Sequence, residues 1–310
     1  MIKEKLPLAV IAGPTASGKS DLAAALGASQ GGVVINADSA QIYRDLSVVA
    51  ATPSAGEMGG IPHRLYGVRD GAEPCSAADW AGLAKREIER AHDAHQLPIL
   101  VGGTGLYIRT LLDGIAPVPD IDPAIRAEIR KAGVEENHAA LKALDPDKAD
   151  ELNPGDTTRI ARALEVVRST GKPLSFWQAR KEGGIGGSVR LSPLVLLPPR
   201  EWLEERFERR FRRMMEQGAV EEVETLLQRG LDEKLPVMRA IGVPEIAAYV
   251  RGEIDRDEAI AAGSLATRQY AKRQYTWFRN QPPEDWPRFT RPLDEDGAVE
   301  EAMAIMLRAL

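Results

Sequence analysis

The feature that most constrains this chain of 310 residues is a glycine-rich stretch near its beginning. An apolar run, LAVIA, leads directly into GPTASGKS, and residues 19–26 then have a helical composition. The stretch matches G-x-x-x-x-G-K-[ST] in the strand-to-helix setting that this pattern requires. Its backbone amides, helix N-terminus and lysine attract anionic oxygens, and Ser20 can bind Mg²⁺. We therefore predict a phosphate-binding loop made of Gly13, Pro14, Thr15, Ala16, Ser17, Gly18, Lys19 and Ser20.

Buried strands and helices alternate through the first third of the chain. Residues 33–35 and 98–101 are short apolar runs, while residues 80–94 and 106–112 have helical patterns. Strands that alternate with helices predict a parallel sheet whose strands are joined by right-handed crossovers.

A helical segment interrupts this alternation. From residue 124 to about residue 178 the sequence has helical stretches and no convincing strand, and the run GGIGG follows. One further strand is expected over residues 191–197, with only helices after it. We predict an α/β fold with a P-loop NTPase-like parallel sheet core, an inserted all-helical domain and a helical C-terminus. The expected bounds are 1–118 plus 188–310 for the catalytic core and 119–187 for the insertion.

Composition restricts the class of protein. A net charge of -6 with 28% charged residues is ordinary for a soluble protein and argues against a strongly basic nucleic-acid coat. The single cysteine, Cys75, cannot form an internal disulfide, and the four histidines lack metal-ligand spacing. No window approaches the roughly 18 apolar residues that a membrane span needs. We expect a cytoplasmic monomer with no membrane association and no metal besides Mg²⁺.

The ends of the second and third predicted strands distinguish between P-loop chemistries. Asp38 follows the second strand, where it could bind magnesium or act as a base. Alternatively, Asp38 or Ser39 could cap a short helix over residues 39–46. The third strand ends in GGTG, where a motor ATPase would often carry its acid, and this weakens an ATPase assignment. Thr104 could point its hydroxyl at the phosphate site or belong to a plain turn.

Several further motifs follow along the chain. Besides GPTASGKS, the chain contains DSAQIY, PHRL, SAADW, LVGGTGLY, RALEV and RQYAKRQYTWFR. In these motifs, which span nearly its whole length, it resembles the tRNA dimethylallyltransferases of the IPP transferase family. The resemblance implies transfer of a dimethylallyl group from dimethylallyl diphosphate to the exocyclic N6 amine of the adenine 3′-adjacent to the anticodon. The products would be N6-dimethylallyladenosine and diphosphate.

The resemblance also implies roles for individual residues. Lys19 and the loop amides hold the diphosphate with Mg²⁺ on Ser20, and Arg210 reaches the same diphosphate. Thr104 hydrogen-bonds the bridging oxygen of the substrate, and Asp38 accepts the proton of the adenine amine. From sequence alone, Arg210 could equally lie on a solvated helix face, because arginines and glutamates interleave around it.

The partner implied by the resemblance is the anticodon stem-loop of tRNA, from which the target base must be flipped out. The residues implied to contact tRNA are Asp38, Ser39, Ala40, Gln41, Thr104, Arg126, Thr158, Arg159, Ile160, Ala161, Arg162, Lys272 and Arg273. The arginines of the insertion could also be ordinary exposed helix charges. Lys272 shares one face of the predicted C-terminal helix with Arg268 and Arg279, an arrangement that suits phosphate binding.

Two segments depart from the family pattern. Where many relatives have Gly-Thr-Ala-Lys-Pro, residues 49–53 of this chain read Val-Ala-Ala-Thr-Pro and lose a lysine. Where many have Gly-Tyr followed by a basic residue, residues 242–245 read Gly-Val-Pro-Glu. Neither segment includes the phosphate loop, Asp38 or Thr104. The predicted reaction is therefore unaffected, while the detail of tRNA binding could differ.

Three other functions remain open from the residues alone. A small-molecule P-loop kinase would use Asp38 as the base for a hydroxyl acceptor and would consume ATP. An isopentenyltransferase acting on free AMP would need neither the helical insertion nor the basic C-terminal helix. A nucleotide-gated RNA-binding module would keep the phosphate loop but would tolerate loss of Asp38.

Overall fold

A six-stranded sheet is the centre of the larger of two compact units. The computed structural model describes residues 5–310, and its strands are β1 (Pro7–Ala12), β2 (Gly32–Asn36), β3 (His63–Arg64), β4 (Leu97–Gly102), β5 (Arg190–Leu196) and β6 (Arg288–Phe289). They lie in the order β3-β2-β4-β1-β5-β6, and every neighbouring pair is parallel. The parallel sheet confirms the predicted α/β core.

Helices make up most of the remaining regular structure. The α-helices are α1 (Lys19–Gln30), α2 (Ala77–Asp93), α3 (Gly105–Asp113), α4 (Pro123–Lys131), α5 (Val134–Leu144), α6 (Pro146–Glu151), α7 (Thr157–Thr170), α8 (Leu174–Gln178), α9 (Arg200–Glu216), α10 (Ala219–Gln228), α11 (Val243–Val250), α12 (Arg256–Asn280) and α13 (Ala298–Leu307). A short 3₁₀ helix spans Val237–Arg239. Within residues 5–310, no helix is both long enough and apolar enough to cross a lipid bilayer.

The central strands are apolar along their whole length. β2 and β4 are buried at every residue, as expected for parallel strands covered on both faces. On one face, Leu22 and Leu26 of α1 and Met306 of α13 pack against Ile11 and Ile99 of the sheet. This packing holds the carboxyl ends of β1, β2 and β4 side by side, which is where ligands bind in open parallel sheets.

Residues 112–185 form the second compact unit, and the first comprises residues 5–111 and 186–310. Helices α4 to α8 lie in the second unit, around a core that includes Ile129, Leu141 and Ile160. The structure has no strand in residues 112–185, in agreement with the helical prediction for residues 124–178.

The edge strands β3 and β6 have no counterpart in the sequence-based prediction. Each has only two residues, too few to produce a periodic pattern. Val195 and Leu197 donate backbone hydrogen bonds of 2.9 and 2.8 Å to the carbonyls of Pro287 and Phe289. Tertiary pairing with β5 therefore creates β6, and the expectation of helices only after residue 197 is wrong.

The predicted short helix over residues 39–46 is also wrong, since this segment forms turns. Its backbone carbonyls form hydrogen bonds with another segment instead of within a helix. The carbonyls of Gln41 and Ile42 accept hydrogen bonds from the amides of Gly67 and Arg69, both at 2.9 Å. The carboxylate of Asp38 caps a turn, because it accepts a hydrogen bond of 2.9 Å from the amide of Ala40.

Candidate active site

The loop between β1 and α1 has the backbone that its glycines permit. Gly13 has a φ of 154° and Gly18 a φ of 86°, values that favour glycine. A Cβ on Gly13 would lie 2.6 Å from the carbonyl oxygen of Leu196, so β5 packs directly against the loop. Helix α1 has no side-chain cap, which leaves its first-turn amides available to an anion. The buried hydroxyl of Ser17 has no hydrogen-bond partner among the described residues.

Lys19 carries an unusual charge environment. Its ammonium group donates a hydrogen bond of 2.5 Å to the carbonyl of Pro14. Burial lowers the pKa of Lys19 to about 7, while the charge of Asp38 raises it and the charge of Arg210 lowers it. A lysine whose charge is this costly gains most from an anionic ligand, because the ligand restores the stability of the charged form.

Asp38 is held rigidly at the end of β2. The buried side chain of Asn36 accepts a hydrogen bond of 2.8 Å from the amide of Asp38 and donates one of 3.0 Å to its carbonyl. The carbonyl of Asn36 in turn accepts a hydrogen bond of 2.9 Å from the indole of Trp80. The amide of Ala40 bonds to one carboxylate oxygen of Asp38, Oδ1. Among residues 5–310, no hydrogen bond to the other oxygen, Oδ2, accompanies this one.

Thr104 lies beside this turn. Its amide donates to the carbonyl of Ala37 at 3.2 Å, and its Oγ1 accepts from the amide of Ser39 at 3.0 Å. Close approach of the two loops requires a glycine, because a Cβ on Gly102 would collide with the carbonyl of Ala37. The structure thus brings Asp38, Ser39 and Thr104 together.

Arg210 lies within electrostatic reach of Asp38 although its helix is mostly solvated. Phe207 and Phe211 are on the buried face of α9, and Arg210 is half-buried. Burial lowers the pKa of Arg210, and the charge of Asp38 raises it. Arg210 also acts on the pKa of Lys19, so these charged side chains lie within mutual electrostatic reach. This placement favours a site role over the alternative of a purely solvated arginine.

Gln41 is oriented by the segment that departs from the family pattern. Its amide nitrogen donates hydrogen bonds of 3.2 and 2.9 Å to the carbonyls of Ala50 and Ala51. The segment is itself anchored by Glu222 of α10, whose carboxylate accepts from the hydroxyl of Ser47 and from the backbone amides of residues 47–49 at 2.6 to 3.1 Å. Glu222 was not predicted from the sequence, because the residues next to it in the chain do not indicate that it caps a distant loop.

The two departures from the family pattern touch each other. A Cβ on Gly242 would lie 2.9 Å from a methyl group of Val49, and Val49 and Val243 are buried. The amide of Gly242 donates a hydrogen bond of 2.9 Å to Glu245, which closes a capping box at the start of α11. The unusual residues therefore have structural roles in this chain, as apolar packing and as a helix cap.

Gln274 of α12 is a second residue that sequence reasoning missed. It is 5% exposed and connects two loops. Its oxygen accepts a hydrogen bond of 2.9 Å from the amide of Thr15, and its nitrogen donates one of 2.8 Å to the carbonyl of Gly103. A Cβ on Gly103 would collide with this side chain. The hydroxyl of Tyr270 lies beside Gln274 and Thr104, so α12 supports both the phosphate loop and the Thr104 loop.

The residues predicted to contact tRNA are exposed to different degrees. On α12, Lys272 and Arg273 are exposed. In the helical unit, Arg126, Thr158 and Arg159 are exposed and Arg162 is partly exposed. Ile160 and Ala161 are 0% and 1% exposed and belong to the core of that unit, so their side chains cannot reach RNA in this conformation.

The residues around the phosphate loop fit a magnesium ion held jointly with a substrate. Among the described residues, no group of three or more histidine, cysteine or acidic side chains could hold a metal by itself. Magnesium usually keeps several waters and binds through one or two protein ligands plus phosphates. Ser20, exposed in the first turn of α1, has the oxygen that this arrangement needs.

A parallel sheet with a phosphate loop after β1 and an aspartate after β2 defines a P-loop protein of the α/β class. Comparison with protein families then identifies the particular group. The model of the IPP transferase family matches residues 41–281, well over half of the chain. The chain belongs to this family, which confirms the resemblance seen in its motifs.

Individual relatives agree with the family assignment. The chain is 62% identical to the tRNA dimethylallyltransferase of Erythrobacter litoralis over 290 residues, which cover 92% of both chains. It is 58% identical to that of Sphingopyxis alaskensis, covering 97% of this chain and 98% of the relative. Among solved structures, the tRNA isopentenylpyrophosphate transferase of Bacillus halodurans superimposes with a TM-score of 0.71 and 33% identity, covering 99% and 97% of the two chains.

A more distant structure shows the same fold. A eukaryotic dimethylallyltransferase, crystallised while acting on tRNA, superimposes with a TM-score of 0.76 and 28% identity. The match covers 88% of this chain and 69% of the eukaryotic one. The P-loop NTPase-like core with a helical insertion is thus the fold of this family.

Proposed function

We propose that this enzyme transfers the dimethylallyl group from dimethylallyl diphosphate to the N6 amine of the adenine 3′-adjacent to the anticodon of tRNA. The observation that carries the proposal is the juxtaposition of one carboxylate with a cationic phosphate loop. Asp38 lies within electrostatic reach of Lys19 and Arg210, and Thr104 lies beside its turn. The family assignment supports the same reaction.

The cationic side of the site suits the leaving group. As the bond between the allylic carbon and oxygen breaks, diphosphate gains negative charge, and fixed donors that meet this charge stabilise the transition state preferentially. Lys19, Arg210 and the free amides at the start of α1 supply these donors. Thr104 would donate its hydroxyl to the bridging oxygen. Ser20 would hold Mg²⁺, which would neutralise further charge on the diphosphate.

Asp38 would serve as the base that accepts the proton of the amine. The adenine amine is a weak nucleophile, so removal of its proton as the new nitrogen-carbon bond forms lowers the barrier. The proton passes from N6 to Oδ2 of Asp38, while Oδ1 stays bonded to the amide of Ala40. One carbon-oxygen bond breaks, one nitrogen-carbon bond forms, and the electron pair leaves with diphosphate.

Gln41 would read the base edge as a hydrogen-bond acceptor. Both carbonyls that face its amide nitrogen are acceptors, so the side-chain oxygen is the group left for a ligand. An acceptor suits an exocyclic amine of a nucleobase. Gln41 thereby would favour adenine at the site over a base that presents a carbonyl.

The partner would be the anticodon stem-loop, with the target adenine flipped out of its stack. Ser39 and Ala40 border the base site, Lys272 and Arg273 offer charge on α12, and residues of the helical unit offer charge elsewhere. The helical unit would contact tRNA chiefly through Arg126, Thr158, Arg159 and Arg162. The enzyme would act in the cytoplasm as a monomer.

The test is a single-turnover reaction with unmodified anticodon stem-loop RNA, Mg²⁺ and radiolabelled dimethylallyl diphosphate, run beside parallel reactions that contain AMP or ATP as the alternative substrate. Label should enter the RNA with the wild type and with Asp93→Asn, an exposed carboxylate at the end of α2, and be lost with Asp38→Asn. Label in free AMP alone would show that the acceptor is a free nucleotide and not tRNA. ATP consumption without transfer would support a kinase. An Asp38→Asn protein that still transfers label would exclude Asp38 as the base.

A further inference from the structure

The helical unit buries one carboxylate among three arginines. Glu165, in the middle of α7, is 1% exposed. Its carboxylate lies 2.6 Å from Arg130 Nε, 3.9 Å from Arg126 Nε and 3.8 Å from an Nη atom of Arg162. A buried carboxylate with three cationic partners is an arrangement that random surface charge does not produce, because burial of an ion is costly unless it is paired.

The spacing in sequence explains the geometry. Arg126 and Arg130 are four residues apart on α4, and Arg162 and Glu165 are three apart on α7, so each pair shares a helix face. Packing of α4 against α7 brings the two faces together. The three guanidinium groups therefore converge on one short stretch of surface in the helical unit.

The cluster has an excess of positive charge. Three guanidinium groups share one carboxylate, which leaves a net charge of +2. Among residues 5–310, no other acidic side chain lies within ion-pair distance of these arginines. Their side chains are 54%, 48% and 40% exposed for Arg126, Arg130 and Arg162, so each keeps donors that face solvent.

A neighbouring pair on the same two helices shows the contrast. Arg168 of α7 donates two hydrogen bonds, of 2.9 and 3.0 Å, to the carboxylate of Glu128 on α4. This pair is neutral, and both ends of the guanidinium fork are in use. Helices α4 and α7 are thus joined both by a closed arginine–glutamate pair and by an open cationic cluster built from the same residue types.

We propose that Arg126, Arg130 and Arg162 form a binding site for backbone phosphates of RNA, with Glu165 as the residue that positions them. The proposal rests on the proposed function, which makes RNA the ligand, and adds Arg130 and Glu165 to it. Glu165 accepts a hydrogen bond of 2.6 Å from Arg130 and attracts the guanidinium groups of Arg126 and Arg162 from 3.9 and 3.8 Å. It thereby reduces their rotational freedom, so that less entropy is lost when the remaining donors bind a phosphate. The negative charge of a phosphodiester would neutralise part of the net charge of +2 that remains on the cluster.

The test compares Arg130→Gln with Arg168→Gln. Binding of the unmodified anticodon stem-loop is measured by fluorescence anisotropy from low to high potassium chloride. Loss of a phosphate contact should weaken binding about tenfold at low salt and reduce the slope of log K against log salt by about one. Arg168→Gln should keep both values. Equal affinity and equal slope for the two variants would overturn the assignment of Arg130.

The role of Glu165 needs a readout that fold stability alone would not change. Glu165→Gln removes the negative charge but keeps the shape of the side chain. The variant should keep or raise its affinity for an unrelated RNA of equal length, since the cluster gains net positive charge. Its preference for the anticodon stem-loop over that RNA should fall about fivefold, because the arginines lose their common anchor. An unchanged preference in a folded variant would leave Glu165 with a purely structural role and contradict the proposal.

Failure of this inference can be distinguished from failure of the proposed function. With saturating stem-loop, Arg168→Gln should transfer the dimethylallyl group at the wild-type rate, because Arg168 belongs to neither the proposed phosphate site nor the diphosphate site. If the wild type transfers label and the two arginine variants bind alike, only the phosphate site is refuted. A wild type that binds but never modifies the stem-loop would instead refute the proposed reaction.

Discussion

At the scale of single residues, the site depends on side chains whose pKa or hydrogen bonds are set by the surrounding residues. Burial lowers the pKa of Lys19 to about 7, and Gln274 is a buried amide that hydrogen-bonds to two loops. The lowered pKa of Lys19 should make diphosphate binding depend on pH. Loss of the Gln274 hydrogen bonds should change the alignment of the phosphate loop and the Thr104 loop.

Lys19 predicts proton uptake on binding of dimethylallyl diphosphate. Its pKa of about 7 in the free protein means that Lys19 is charged below pH 7 and mostly neutral at pH 8. The diphosphate favours the charged form and raises this pKa, so binding at pH 8 should take up nearly one proton per molecule. Affinity should weaken about tenfold per pH unit above 7.

Calorimetry at pH 8 in buffers of different ionisation enthalpy measures this uptake. Lys19→Arg is the matched control, because an arginine stays charged at every pH of the experiment and should show no uptake of its own. Uptake of the same size in both proteins would assign the proton to the substrate instead of to Lys19.

Gln274 predicts a loss of rate without a loss of tRNA binding. Gln274→Met keeps the length of the side chain but leaves the amide of Thr15 and the carbonyl of Gly103 without their partner. Misalignment of the two loops should lower kcat about 10- to 100-fold. Rapid-quench transfer and anisotropy of the stem-loop measure the two effects. Gln281→Met, at the exposed end of the same helix, is the control and should leave kcat and stem-loop affinity unchanged. A wild-type kcat for Gln274→Met would contradict the positioning role of Gln274.

At the scale of elements, a helix can influence the site through a side chain that hydrogen-bonds to the backbone of a distant loop. Glu222 in the first turn of α10 holds residues 47–49, and that segment orients Gln41 through the carbonyls of Ala50 and Ala51. A helix far from the phosphate loop in the chain thereby sets the geometry of a predicted base contact.

Glu222→Gln predicts a combined effect on stability and RNA binding. The amide of glutamine has one acceptor oxygen and two donors, so it cannot satisfy the amides of residues 47–49 together. Unpaired donors should lower the free energy of unfolding by about 1–3 kcal/mol. Stem-loop affinity should fall while affinity for dimethylallyl diphosphate is kept. Glu224→Gln on the exposed side of α10 is the control for urea unfolding and binding; matching behaviour of the two variants would contradict the loop-anchoring role.

At the scale of the larger unit, the strand order decides which loops meet. β2, β4 and β1 are neighbours, so the phosphate loop, the Asp38 turn and the Thr104 loop leave the same edge of the sheet. The approach of β4 to the Asp38 turn is close enough to exclude any side chain at Gly102.

Gly102→Ala therefore predicts a loss of both stability and activity. A methyl group at this position would collide with the backbone of Ala37 and separate Thr104 from Asp38. The free energy of unfolding should fall by about 1–3 kcal/mol, and most of the transfer activity should be lost. Gly133→Ala, where nothing lies within 4 Å, is the matched substitution and should change neither. Thermal unfolding with the transfer assay tests this; a fully active Gly102→Ala protein would show that the loops can separate.

Much of the site could be predicted because its signals are local. The phosphate loop is a contiguous pattern, the buried strands are contiguous apolar runs, and Asp38 and Thr104 stand directly after two of them. The turns over residues 39–46 could not be predicted, since their backbone groups are used by residues 67–69. Nor could β6, whose two residues pair only with β5.

The sequence by itself determined the glycine-rich loop between the first strand and the first helix, the alternation of strands and helices, the helical segment and the family, because each depends on residues close together in the chain. Only the tertiary structure decided that Arg210 lies within electrostatic reach of Asp38, that Gln274 and Glu222 hold distant loops, and that Glu165 lies among three arginines. These contacts join residues far apart in the chain. A glutamate or arginine on a helix has the same local pattern whether it faces solvent or a partner, so packing alone distinguishes the two.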